Sequence, residues 1–239
     1  AQREERSSQQ MSSSQELAGV AAIEALGFSA EMEVVEATGE AAARVFEPGD
    51  ILKRINGIAL DDFDHLLGVL GAIAPGSTIE AEIRRDGSPQ TVTMVTEDDG
   101  EGGSRMGVIV GFALPFEVTF GVEGIGGSSA GMMFALGIVD KLGPVDLAGG
   151  HIVAGTGTID QDGRVGAIGG IQQKMIGAYR DGAEYFLAPT DNCDQVRGAI
   201  PSGLKVTRVA TLDEALNALA AIRAGEPDTL PTCESVSDR

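Results

Sequence analysis

The chain has 239 residues, enough for one large domain or two small ones with a proper buried core. Apolar residues at 43% and charged residues at 22% are ordinary for a globular protein. Its 36 acidic against 17 basic side chains leave a net charge of −19, which argues against nucleic acid or an anionic membrane surface as partner. No run approaches the roughly 18 apolar residues of a membrane span.

In chain order, the opening AQREERSSQQ is polar and charged, is not a signal peptide, and reads as unstructured. Ser13 to Glu16 then reads as a capping box. Leu17, Val20, Ala21 and Ile23 give the following helix an apolar face, and Gly27 ends it. The stretch from Met32 holds a strand, a short Ala-rich turn, Pro48-Gly49-Asp50, a strand over Ile51–Ile55 and an Asn56-Gly57 turn. A helix near Asp62–Ala72 leads into strands over Thr78–Arg84 and Gln90–Val95, joined by the loop 85–88. Ile79, Ala81 and Ile83 share one face of the first.

This order, with PGDxIxxING and PGSTIEAEIRRDG, resembles a PDZ domain of the bacterial protease-associated type over residues 31–98. The resemblance implies binding of extended peptide ends by strand addition. No convincing carboxylate-binding loop precedes the first strand: Leu26-Gly27-Phe28 is a weak candidate, and Gly27 reads better as a helix C-cap. TEDDGEGGSR then shifts to acid and glycine, giving a linker over 99–105 and a second domain over 106–239.

GIGGSSAG, residues 124–131, opens the chemistry. It lacks the lysine of GxxxxGK[ST] and the spacing of GxGxxG, so nucleotide binding is excluded. As a plain glycine turn it would lead into a buried helix over Ser129–Leu142. As a nucleophile elbow it would put Ser129, with Ser128 as rival, beside free backbone N–H groups at the turn of Gly127, Ser128 and Ser129. A serine needs a base. His65 reads as a surface residue. His151 opens the strand HIVAGTG, where alternation puts it on the face opposite Thr156. Lys174, on a helix from Gly170, has Gly170, Ile171, Gly177 and Ala178 around it. That small apolar face would desolvate its ammonium.

GGSSAG, AGTGTIDQDGRVGAIGGIQQK and YFLAPTDN resemble the proteolytic domain of Lon-type proteases over most of residues 106–225. The resemblance implies Ser129 as nucleophile, Lys174 as base and Thr156 as support, without cofactor or metal. The family's motif usually has proline where this chain has Ser128. The order of helix, PDZ-like stretch, Lon-like stretch and terminal helix TLDEALNALAAI resembles secreted, membrane-anchored Lon-like peptidases. That likeness implies an extracytoplasmic place, an anchor preceding this chain, and a hexameric assembly.

Cys193 and Cys233 are the two cysteines, and neither CxxC nor HExxH occurs, which argues against zinc. By count they are free thiols or one disulfide; the resemblance favours the disulfide. The expected fold class is α+β, a small mostly-β PDZ domain before an α+β proteolytic domain, with residues 1–30 as a leading segment. The expected function is ATP-independent Ser-Lys cleavage of proteins or peptides, with chain termini held at the PDZ domain and no nucleic acid or nucleotide as partner. The alternative is a PDZ-bearing adaptor or chaperone with a resting protease fold.

Overall fold

The computed structural model describes residues 2–114, 116, 118–121 and 127–235. It divides into two units, 30–115 and 1–29 together with 116–239. The first helix, α1 (Gln2–Ala25), belongs to the second unit and starts well before the Ser13 capping box. The reason is tertiary packing. Met11, Ser14, Ala18, Ala21 and Ala22 recur at helical spacing and are buried, so a polar, serine-rich segment hides a face of small residues. At Gly27, with φ +84°, the helix closes as the sequence suggested.

The 30–115 unit is a mostly antiparallel sheet built from β1 (Glu31–Ala37), β2 (Ile51–Ile55) and β3 (Ile58–Ala59), then helix α2 (Phe63–Gly71), β4 (Thr78–Arg85) and β5 (Ser88–Val95). Asn56-Gly57 and Asp86-Gly87 both take positive φ, as two-residue hairpins with the native twist require. In β4, Ile79, Ala81 and Ile83 are buried as their alternation demands. Asp62 caps α2 by accepting the His65 N–H at 2.7 Å. A buried Asp50 carboxylate receives Arg85 through Nε and Nη2, both at 2.7 Å. Burial alone would raise the Asp50 pKa; the Arg85 bonds, the Glu47 N–H and the Arg85 charge outweigh it and hold the carboxyl below its ordinary range.

The linker expected over 99–105 is instead part of a hairpin of β6 (Glu97–Asp98) and β7 (Ser104–Arg105). Its acidic residues are turn-formers: Asp98 and Asp99 accept backbone N–H groups of residues 100, 101 and 103. The expected boundary at Met106 also shifts. Met106 is buried in this unit's core, and β8 (Val108–Ala113) pairs antiparallel with β1 along most of its length. The sheet order is β5-β4-β2-β1-β8.

The other unit carries α3 (Gly131–Leu142), β9 (Val153–Gly155), and the hairpin β10 (Thr158–Ile159) with β11 (Val165–Gly166). It continues with α4 (Ile171–Arg180), β12 (Tyr185–Pro189), the short α5 (Cys193–Val196), β13 (Lys205–Val209) and α6 (Leu212–Arg223). β13, β12 and β9 form a parallel sheet. Against it α1, α3 and α6 bury an aliphatic core that includes Met132, Leu136, Leu187 and Ile222. Thr211 caps α6 by accepting the Glu214 N–H. A second core, around Phe186, Ile171 and Met175, encloses the Cys193–Cys233 disulfide, whose Cα atoms lie 5.0 Å apart. No helix among the described residues is long and apolar enough to cross a membrane. The α+β class expected from the sequence is the one observed.

Candidate active site

Three elements converge on Ser129. It sits in a turn two residues ahead of α3, which starts at Gly131 and not at Ser129. Residues 124–126, the first part of the glycine stretch, lie outside the described residues. Gly127 has φ +87°, a conformation open to glycine at little cost. The Ser129 carbonyl accepts the Gly157 N–H at 2.9 Å and the Thr156 hydroxyl at 2.8 Å, which ties the turn to the end of β9.

Lys174 reaches the same point from α4. Gly170, at φ +71°, opens that helix, and Asn192 fixes the preceding loop by bonding both backbone groups of Ile168 at 2.9 Å. The Lys174 Nζ donates to Ser129 Oγ at 2.8 Å and to Thr156 Oγ1 at 3.2 Å. Thr156 is 2% exposed, so its hydroxyl has a fixed environment: it donates to the Ser129 carbonyl and accepts from the lysine. Desolvation by burial pushes the Lys174 pKa down, and among the described residues no carboxylate pairs with it to counter that. A partly neutral amine against a serine hydroxyl is the arrangement needed to generate an alkoxide nucleophile.

The histidines lie elsewhere. His65 Nδ1 is 3.2 Å from the Asp61 carboxylate. His151 Nδ1 is 3.0 Å from Glu184 Oε2, and its ring stands edge-on to Tyr185. That contact and the Ile152 N–H hold the Glu184 carboxyl below its ordinary range. The strand here is shorter than HIVAGTG suggested. Only residues 153–155 are strand, Ile152 is 55% exposed and Thr156 is buried, so strict alternation does not run through to Thr156. The oxyanion expectation for Gly127 is corrected as well: its N–H donates to the Ser7 carbonyl at 3.1 Å and is not available to a ligand. Ser128 offers its carbonyl to Ser14 and Gly131, and its hydroxyl has no contact with Lys174 among the described residues.

Residues 117–221 match the family model of the Lon protease (S16) C-terminal proteolytic domain. This region is a Lon-type proteolytic domain. It is 37% identical over 111 residues to Lon protease 1 of Sorangium cellulosum, covering 44% of this chain and 13% of that protein. Against the Lon protease of Malacoplasma penetrans it is 38% identical over 96 residues, covering 39% and 12%. The chain thus spans about an eighth of the length of these relatives. The Lon-type region holds Ser129, Thr156 and Lys174. The N-terminal unit has its own, weaker likeness among solved structures. It is similar to the PDZ domain of an SdrC-like protein of Listeria monocytogenes, at 17% identity and TM-score 0.32, covering 34% of this chain and 86% of that one. The corresponding domain from Listeria innocua gives 13% identity, TM-score 0.31, and coverage of 34% and 92%.

Within the 30–115 unit, a cavity of about 340 Å³ opens between α2 and β8. Phe63, Leu66 and Leu70 line one wall, Met106, Val108 and Val110 the other, and Arg105 stands at its mouth, 3.3 Å from Glu97. No motif in the sequence points to this groove by itself; Met106-Gly107-Val108, expected to open the second domain, leads instead into the last strand of the first unit. Among the described residues no three His, Cys, Asp or Glu side chains gather to hold a metal.

Proposed function

We propose that this protein is an ATP-independent serine endopeptidase in which Ser129 is the nucleophile and Lys174 the general base. The observation that carries this reading is the 2.8 Å contact between Lys174 Nζ and Ser129 Oγ, with Thr156 3.2 Å from the same nitrogen. A neutral amine has two N–H groups and one lone pair. Thr156 accepts one N–H, which turns the lone pair toward the Ser129 hydroxyl. Lys174 takes the serine proton as Oγ attacks the peptide carbonyl, then delivers it to the leaving amine. Water, deprotonated by the same lysine, hydrolyses the acyl-enzyme. Backbone N–H groups in the turn just ahead of α3 would stabilise the developing oxyanion.

No step needs a nucleotide, and the 239 residues contain no GxxxxGK[ST]. The groove between α2 and β8 would take a free chain end of a protein substrate by adding a strand to β8, the last strand of its sheet. The disulfide supports an oxidising, extracytoplasmic compartment. The close contacts of Lys174 with Ser129 and Thr156 favour an active peptidase over an adaptor.

The test is cleavage of an unfolded protein without ATP, read by mass spectrometry. Ser129→Ala and Lys174→Ala are expected to lose at least about 10³-fold in kcat, and Thr156→Val about 10- to 100-fold. His151→Ala should stay within about twofold of the parent. An inactive His151→Ala with an active Lys174→Ala would replace the dyad by a histidine mechanism.

A further inference from the structure

We infer that Ser14, on a helix outside the matched proteolytic region, is a positioning residue that aims the oxyanion donors beside Ser129; the inference rests on the Ser-Lys reading above.

A serine inside a helix commonly bonds back to the carbonyl four residues earlier, as Ser12 does to Ser8. Ser14 does not. It is 2% exposed, and its hydroxyl donates at 3.2 Å to the carbonyl of Ser128, 114 residues away. One face-repeat earlier on the same helix, the Ser7 carbonyl accepts the Gly127 N–H. The approach is close enough that a Cβ on Gly131 would meet Ser14 Oγ at 2.8 Å.

The carbonyls on both sides of Ser129 are thereby fixed. That of Ser128 accepts from Ser14 and from the Gly131 N–H at 3.3 Å; that of Ser129 accepts from Thr156 and Gly157. In a trans peptide the C=O of one residue and the N–H of the next point in opposite directions. Holding the Ser128 carbonyl against α1 therefore turns the Ser129 N–H away from α1. Holding the Ser129 carbonyl against Thr156 likewise turns the Ala130 N–H away from β9. Among the described residues neither N–H has a backbone acceptor. These two donors are left for a substrate oxyanion, and α1 restrains a turn that has serine at 128 and glycine at 127.

The experiment uses Ser14→Ala in the whole chain, with a peptide substrate and a peptide boronate whose tetrahedral adduct on Ser129 needs the same donors. Alanine is the better helix former, and the Ser128 carbonyl keeps its Gly131 partner, so folding is not threatened. Losing an oxyanion donor outright costs about 10²–10³ in kcat, so misaiming one should cost about tenfold. Expected are a kcat lower by about that factor, an unchanged KM and a boronate affinity weakened in parallel. The acid limb of the pH profile should not move, because Ser14 does not touch Lys174. An unchanged kcat overturns the inference, as does a kcat loss with undiminished boronate affinity or with a collapse in thermal stability. Ser129→Ala is run beside it: if that variant still cleaves, the Ser-Lys reading itself falls and takes this one with it.

Discussion

A lysine acts as a base only in the fraction that has lost its proton, about one in 2000 at pH 7 for an ordinary side chain. Desolvation lowers that barrier for Lys174. The catalytic consequence has a definite sign. Activity should rise with pH through the depressed lysine pKa, so the acid limb of kcat/KM should lie below the ordinary lysine value of about 10.4. Stability follows the same proton. Between the depressed folded pKa and the ordinary unfolded one, the unfolded chain binds more protons, so stability rises with pH across that window. Lys174→Met should remove that dependence and, at neutral pH, raise the melting temperature. Calorimetry at several pH values checks it; a variant that melts lower, or a parent whose stability falls with pH there, would refute the desolvated base. The sequence points to Ser129, Lys174 and Thr156 through three motifs that resemble Lon-type domains, and to Lys174 also through the helical phase of α4. Alternation along a regular strand does not describe His151, because its pairing with Glu184 depends on a neighbour 33 residues away.

Among the elements, β8 and α2 together line the groove proposed to take a peptide, and neither does so alone. A fluorescent peptide with an apolar last residue and a free carboxylate should bind it, and the same peptide amidated should bind about tenfold more weakly. Leu67, half exposed on the rim, gives a variant that does not disturb the core: Leu67→Glu should weaken binding about tenfold with little change in melting temperature. Equal binding of acid and amide would reject a chain-end site. The hairpins of this unit could be read residue by residue because Asn-Gly and Asp-Gly carry their own turn geometry. The placement of β8 could not. Its partner β1 lies some 75 residues earlier, and an acidic, glycine-rich stretch before it looks like a linker until its carboxylates are seen closing turns.

At the scale of the molecule, the Cys193–Cys233 bond ties the C-terminal segment to the Lon-type unit across 40 residues. In the chain-entropy model a loop of that size contributes about 4 kcal/mol. A reductant, or the double Cys→Ala variant, should lower the melting temperature of that unit on the order of 10 °C, measured by calorimetry with and without reductant. No difference would mean the bridge is absent or unimportant in solution. The amino-acid sequence by itself pointed to the α+β class, the hairpin turns and the helix stop at Gly27 through local spacing, and to Ser129, Thr156 and Lys174 through short motifs that resemble Lon-type domains. Only the tertiary structure decided that a polar serine-rich segment is a helix, that Met106 belongs to the first unit, and what holds the carbonyls on either side of Ser129. Those outcomes rest on contacts between residues up to 114 apart, whose free energy exists only once the chain has closed around them.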